Sequence, residues 1–215
     1  VQTCALPILD ALQSHGFENI KNAPREWMES LKWDNTPRIE NFFVTAFGAE
    51  DNEYTRAVSK NFWISMAART YQPGVKMDFM VVLEGPQGIK KSTALRAIAR
   101  EWYGETMDNP ENKDFSISLK GKLILEIPEL VSVIKTSPEV LKKVLTTQYD
   151  DYRPVFGRDN VLQPRRNVFV GTTNSDDYLR DPSGNRRYMP IKCTNIDIED
   201  RKSTRLNSSH VSESR

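Results

Sequence analysis

The sequence predicts an α/β fold with a mainly parallel sheet. Short apolar runs at residues 79–83, 123–125 and 168–170 are typical of strands that are buried on both faces. Between these runs, residues 92–102 and 137–145 carry apolar side chains at helical spacing. Buried strands that alternate with helices indicate parallel strands joined by helical crossovers, so we expect a core with helices packed on the sheet.

The two ends of the chain look foreign to the protein. One permitted DNA string for residues 200–207 has a reverse complement that translates, letter for letter, as residues 1–8. The string resembles a common short-read library adapter, so we interpret residues 1–8 and 200–215 as translated adapter that does not belong to the fold. Residues 200–215 contain four basic and two acidic residues. Without them, residues 9–199 hold 26 basic and 27 acidic residues, which gives a net charge of −1.

The composition of residues 9–199 excludes several kinds of site. Only one cysteine, Cys193, and one histidine, His15, remain, which rules out a disulfide framework and a Cys/His zinc site. We interpret both residues as structural or incidental. No apolar run approaches the roughly 18–20 residues of a membrane span, so we expect a cytoplasmic protein without a membrane partner. Because the charge is near neutral, any basic surface must be local.

Residues 9–76 are predicted to form an N-terminal helical subdomain. Pro24 suits the first position of one helix, a second helix is expected to stop at Gly48, and a third should end near Gln72. Residues 77–199 would form the α/β core, which we expect to be truncated at its C-terminal end.

A phosphate-binding loop is predicted between the first strand and the helix that follows it. The segment nearly matches the pattern G-x-x-x-x-G-K-[ST]. In this pattern the glycines let successive backbone N–H groups point at one anion, and the helix N-terminus adds partial positive charge. Lys91 would reach the phosphates of ATP, and the Ser92 hydroxyl would ligate Mg²⁺. The predicted ATP-binding residues are Gly85, Pro86, Gln87, Gly88, Ile89, Lys90, Lys91, Ser92 and Thr93.

Lys90 is the one departure from the pattern, which has glycine at this position. A side chain here is expected to crowd the loop or to demand a different backbone angle, or else to point outward and add positive charge near the phosphates. Two alternatives to an active loop therefore stay open: a phosphate loop that has lost hydrolysis, and a coincidental glycine turn.

Polar residues follow the other two predicted strands. Glu126 and Glu129 come after the second run; one acid would hold Mg²⁺ beside Ser92 and the other would polarise the attacking water. Ser92 and Glu126 are the candidate metal ligands, although the sequence does not assign the two acidic roles. Asn174 ends the third strand and suits a sensor that orients water against the γ-phosphate, with simple turn chemistry as the alternative.

An arginine-rich segment, residues 153–187, holds seven Arg and four Asp. Arg153, Phe156 and Arg158 combine guanidinium and aromatic groups, which suit pairing with phosphates and stacking on single-stranded bases. Arg186 and Arg187 are candidates for an arginine finger that reaches the γ-phosphate in a neighbouring subunit. For any single arginine, an ordinary surface or ion-pair role is the simpler alternative.

Taken together, these motifs resemble the virulence-associated protein E family. These are phosphate-loop ATPases of phages and genomic islands, similar to the superfamily 3 helicase part of primase–helicases. The resemblance implies a three-layer ATPase core of the AAA+ kind, assembly into a ring such as a hexamer on DNA, and an upstream primase domain lost from this fragment. It also places a DNA-binding hairpin at residues 152–158. The motifs that carry it are residues 33–39, 83–88, 126–130, 171–174, 178–181 and 184–187.

The predicted function is that of a Mg²⁺-dependent ATPase acting as a DNA helicase or replication motor of a phage or mobile element, on single-stranded or forked DNA. One alternative is a degenerate derivative that binds nucleotide or DNA without turnover, because the family includes inactivated members and Lys90 replaces the family's glycine. Another is a small-molecule kinase built on the same loop, against which the arginines of residues 153–187 argue.

Overall fold

The computed structural model describes residues 22–106, 113–130, 138–153, 160–174 and 185–196. The chain divides into two compact units, Val1–Leu31 and Lys32–Arg215. The described part of the first unit contains helix α1 (Ala23–Ser30), in which Pro24 is the second residue, one position later than predicted. The Asn22 side chain accepts from the backbone N–H of Arg25 at 3.3 Å. His15 and both interpreted adapter segments lie outside the described residues, and the domain boundary expected after residue 76 stays a prediction.

The second unit begins with two helices, α2 (Phe42–Phe47) and α3 (Glu53–Tyr71). Helix α2 stops at Gly48 as predicted, because Gly48 adopts a left-handed conformation with φ of 61°. Asn52 caps α3 by accepting from the N–H of Thr55 at 2.8 Å. The two helices pack through aromatic rings whose centroids lie 5.0–6.3 Å apart: Phe42, Phe43, Phe47, Phe62 and Trp63.

Five parallel strands form the central sheet, in the order β2-β3-β6-β1-β7. The prediction of an α/β fold with a mainly parallel sheet is therefore confirmed. The strands β2 and β7, at the two edges, were not predicted. In chain order the strands are β1 (Met80–Glu84), β2 (Tyr103–Glu105), β3 (Ile124–Ile127), β4 (Tyr149–Tyr152), β5 (Val161–Pro164), β6 (Val168–Thr173) and β7 (Tyr188–Lys192).

Helices cover both faces of the sheet. Three of them are α4 (Lys91–Ala99), α5 (Lys113–Ser118) and α6 (Pro138–Thr146). Met80 and Val82 of β1 belong to a buried cluster with side chains of α5 and α6. Val81 points to the opposite face, because side chains alternate along a strand, and there it lies beside side chains of α3. No helix in the described ranges is both long and apolar enough to cross a membrane.

A separate antiparallel hairpin, formed by β4 and β5, directly precedes β6. Its base is held by Arg165, which donates to both carboxylate oxygens of Asp150 at 2.7 and 2.8 Å and also to the carbonyl of Val144. Of the predicted DNA-binding residues, Arg153 follows β4 and is exposed. Phe156 and Arg158 lie outside the described residues.

Candidate functional site

The predicted phosphate loop joins the carboxyl end of β1 to the first turn of α4. Gly85 leaves the strand with its N–H donating to the carbonyl of Thr173 at 3.2 Å. A Cβ at Gly85 would lie 2.6 Å from the carbonyl oxygen of Cys193, so the close approach of two backbones requires glycine here. Gly88 has open space around it, but its φ of 84° is left-handed. The buried thiol of Cys193 has a pKa raised to about 12 by desolvation, which agrees with a structural role.

Lys90 occupies the left-handed region, with φ of 71° and ψ of 31°. Glycine adopts this angle readily, so Lys90 keeps a glycine-like backbone instead of the different angle that was one expectation. The Lys90 side chain is exposed, so it does not crowd the loop. The unusual φ nevertheless costs a residue with a Cβ about 1–2 kcal/mol relative to glycine.

Lys90→Gly is expected to raise the free energy of unfolding by about 1 kcal/mol, because glycine adopts this φ without the Cβ penalty but loses more chain entropy on folding. The matched control is Gly88→Ala. It adds a Cβ in open space at φ of 84° and should lower stability, by about 1 kcal/mol, through backbone strain alone. Urea denaturation of the two variants measures both changes. A loss of stability in Lys90→Gly would contradict the assigned backbone strain.

Lys91 turns its ammonium group into the loop. Its Nζ donates to the carbonyls of Gly85 at 2.5 Å and Pro86 at 3.0 Å, and to Oδ1 of Asn174 at 3.1 Å. Desolvation lowers the pKa of Lys91, while nearby acidic groups, Glu126 among them, oppose that shift. The predicted sensor Asn174 and the predicted phosphate-binding lysine are therefore in direct contact.

Glu126 is fully buried and accepts hydrogen bonds from three hydroxyl groups. Its Oε1 accepts from Ser92 Oγ and from Thr172 Oγ1, both at 2.7 Å. Its Oε2 accepts from the phenol of Tyr103 at 2.6 Å. Sequence reasoning selected Ser92 and Glu126 but missed Thr172 and Tyr103. The position of Thr172 two residues before Asn174 was a usable signal, whereas Tyr103 lies on a strand that was not predicted.

Lys91, Asn174, Glu126, Ser92 and Thr172, but not Tyr103, line one open pocket of about 340 Å³ at the carboxyl edge of the sheet. Glu129 lies on its wall and is exposed, with a left-handed φ of 48°. A non-glycine residue in this region is uncommon, and such residues concentrate at functional sites. The pocket is lined by Gln87, Gly88, Ile89, Lys90, Lys91, Ser92, Thr93, Glu126, Pro128, Glu129, Thr172, Thr173 and Asn174.

Arg186 and Arg187 do not join this pocket. They lie in a single 3₁₀ turn (Asn185–Arg187) directly before β7, whose first residue, Tyr188, pairs with Met80. The turn is therefore at the amino-terminal edge of the sheet. The opposite, carboxyl edge is about 13 Å away, four residues along a parallel strand. A role for these arginines in a neighbouring subunit's pocket stays a prediction.

The oxygen donors of the pocket fit a magnesium ion that shares its coordination with phosphates. Ser92 Oγ and Glu126 Oε1 are 2.7 Å apart, and both are hard oxygen donors of the kind Mg²⁺ prefers. The described part of the chain holds no group of three or more His, Cys, Asp or Glu side chains placed to bind a metal by themselves. Mg²⁺ is commonly held by one or two protein oxygens together with phosphates and water, so this donor set is sufficient.

Comparison with known proteins gives a family and a fold. The model of the virulence-associated protein E-like domain matches residues 28–210. Two solved structures, both described as the A form apo structure of the NrS-1 C-terminal region, are similar to the chain at 19% identity with TM-scores of 0.50 and 0.51. Each similarity covers 82% of this chain and 44% of the other, so this chain spans less than half of those structures. The search of curated proteins gave no match.

Proposed function

The chain belongs to the virulence-associated protein E-like family, and on that premise we propose that it is a phosphate-loop ATPase that depends on Mg²⁺ and works as a DNA helicase or replication motor. One observation carries the proposal: a single pocket holds the loop lysine, a buried acid bonded to the loop serine, a second acid and a polar strand end. The strand order supports it, because β6, which leads to Asn174, lies between the loop strand β1 and the acidic strand β3.

Each side chain has a role that follows from its place in the pocket. Lys91 would exchange part of its contacts with loop carbonyls for phosphate oxygens, and the first N–H groups of α4 would point at the same anion. Ser92 and Glu126 would hold Mg²⁺, which neutralises the charge that develops on the phosphates. Asn174, in contact with Lys91, would sense the γ-phosphate.

The surroundings of the two acids support an assignment that the sequence left open. Both oxygens of Glu126 accept hydroxyl hydrogen bonds in a fully buried position, so its carboxylate is fixed beside Ser92 and suits the metal. Glu129 is exposed on the pocket wall, where water has access, and suits the base that orients the attacking water. We therefore assign Glu126 to the metal and Glu129 to water.

The DNA and assembly parts of the proposal extend beyond the pocket. The exposed Arg153 directly follows β4 of the hairpin, where a cationic group could pair with a DNA phosphate. Arg186 and Arg187 lie away from this chain's own pocket, as an arginine finger acting on a neighbour in a ring would. We propose that a primase domain precedes this domain in the whole protein.

A second candidate is a derivative of the same fold that binds nucleotide without turnover. The left-handed φ of 71° at Lys90 favours it, because a lysine replaces a glycine at a strained point of the loop. This candidate keeps the pocket and the Lys91 contacts and loses only catalysis.

The test is Mg²⁺–ATP binding by calorimetry and phosphate release by the full chain, each measured with and without single-stranded DNA. Binding with turnover that DNA stimulates would support the motor. Binding without turnover, with turnover restored by Lys90→Gly, would support the second candidate. Failure of a folded chain to bind Mg²⁺–ATP would overturn both.

A further inference from the structure

Tyr103 makes the shortest of the hydroxyl contacts to Glu126. Its phenol donates to Glu126 Oε2 at 2.6 Å and also lies 3.3 Å from Oε2 of Glu105. Tyr103 is only 8% exposed, and Glu126 is fully buried, so this hydrogen bond is shielded from water. A buried carboxylate oxygen needs a donor, and in the described residues Tyr103 is the donor to Oε2.

The backbone around Tyr103 holds it against the acidic strand. Strand β2 pairs with β3 in parallel register, with Tyr103 opposite Ile124 and Glu105 opposite Glu126. On either side of this pairing, the N–H of Leu123 donates to the carbonyl of Trp102 at 2.7 Å and the N–H of Thr106 donates to the carbonyl of Glu126 at 3.0 Å. The phenol therefore approaches Glu126 from a strand whose backbone is hydrogen-bonded to β3 both before and after Tyr103.

Helix α4 also contacts Tyr103. The guanidinium of Arg96 lies 4.9 Å from the centre of the Tyr103 ring, within range of a cation–π interaction. Arg96 is one helical turn after Ser92, the other candidate magnesium ligand. Tyr103 thus touches the helix that carries Ser92 and the strand that carries Glu126.

We infer that Tyr103 is a positioning residue for magnesium binding: its hydroxyl fixes Oε2 of Glu126 so that Oε1 faces Ser92. The inference rests on the proposed function and deepens it, because it explains how an edge strand outside the phosphate loop controls the metal ligands. Tyr103 lies behind the carboxylate and does not line the pocket, so it acts through Glu126.

The test is Tyr103→Phe, which removes one oxygen atom and keeps the ring. The affinity for nucleotide without metal should change by less than about twofold, because the loop and Lys91 are untouched. The Mg²⁺ concentration for half-maximal nucleotide binding should rise by about tenfold or more, as for loss of an outer-shell partner of a metal ligand. Titrations of Mg²⁺ at fixed nucleotide, read by a fluorescent ATP analogue, give both values.

Tyr188→Phe is the matched control. Tyr188 is also a buried tyrosine at the start of an edge strand, but its strand, β7, lies at the opposite edge of the sheet from β2. Its Mg²⁺ titration should match that of the wild type. Arg96→Met is the second variant if Tyr103→Phe fails to fold; loss of the cation over the ring should raise the Mg²⁺ requirement by about twofold to fivefold.

The outcomes separate the inference from the function on which it rests. A wild-type chain without Mg²⁺-dependent nucleotide binding would overturn the proposed function. Normal binding by the wild type together with an unchanged Mg²⁺ requirement in folded Tyr103→Phe would overturn the inference alone. A rise in the requirement that Tyr188→Phe shares would also overturn it, because a general loss of sheet stability would then explain the effect.

Discussion

Replacing Glu129 by glutamine is expected to abolish most ATP turnover and to leave Mg²⁺–nucleotide binding close to the wild-type value. The amide cannot accept a proton, so water in the pocket would lose its base, an effect of roughly 10²–10⁴ in rate. The side chain is exposed on the pocket wall, so the substitution leaves the buried hydrogen bonds around Glu126 in place. Phosphate release and calorimetric binding measured on the same protein separate the two properties.

Glu126→Gln should already lose magnesium binding, the step that precedes hydrolysis. An amide has one oxygen, so it cannot accept from Ser92, Thr172 and Tyr103 together as the carboxylate does, and the metal would lose a charged ligand. We expect the Mg²⁺ dependence of binding to be lost along with turnover. Glu139→Gln, on the exposed face of α6, is the control and should behave as the wild type. Full turnover in Glu129→Gln with Mg²⁺ binding intact in Glu126→Gln would contradict both assignments.

Much of the core could be predicted because its signals are local in sequence. The three predicted strands are runs of apolar residues, and burial on both faces of a parallel sheet requires such runs. The phosphate-loop residues share one turn between a strand and a helix, so their spacing already implies their proximity. Glu126 lies near the end of β3 and Asn174 directly follows β6, and the carboxyl ends of neighbouring parallel strands meet at one edge of a sheet.

The edge strands gave no comparable signal. Strand β2 has three residues, too few for a period to appear, and its glycine, Gly104, argues against a strand. Strand β7 contains Pro190, which lowers strand propensity; an edge strand tolerates proline because only one of its sides needs backbone donors. The hydroxyl of Tyr103 could not be assigned to Glu126 for the same reason, because the contact depends on the register of a strand that the sequence did not reveal.

Arg165 shows that a count of arginines in a segment does not distinguish buried, ion-paired arginines from exposed ones. It was counted in the arginine-rich segment that predicted nucleic-acid contact, with an ion-pair role as the simpler alternative. In the structure it is 4% exposed and bonded to Asp150, so the ion-pair alternative is correct at this position. Sequence could not separate Arg165 from Arg153, since burial depends on helix α6 and the hairpin base meeting in space.

Arg165→Met is expected to destabilise the protein by about 3–5 kcal/mol, the largest stability effect we predict, because it leaves Asp150 buried without its bidentate partner. The substitution also removes the bond to the carbonyl of Val144. The hairpin base is the affected region, so the DNA binding that we propose for Arg153 should weaken in parallel. Urea denaturation gives the free energy of unfolding, and the expected sign is a lower midpoint.

Arg69→Met removes a second buried arginine near Arg165, and here we expect no loss of stability. Arg69 is 2% exposed, and its Nε and Nη1 have no hydrogen-bond partner within the described residues. Desolvation and the neighbouring charge of Arg165 lower its pKa to about 10, which means that the folded state disfavours this cation. Methionine keeps an unbranched apolar chain against Phe62 and Val81 and removes a buried cation with two nitrogens that have no hydrogen-bond partner in the described residues, so stability should stay level or rise by about 1 kcal/mol. A loss as large as that of Arg165→Met would contradict this expectation.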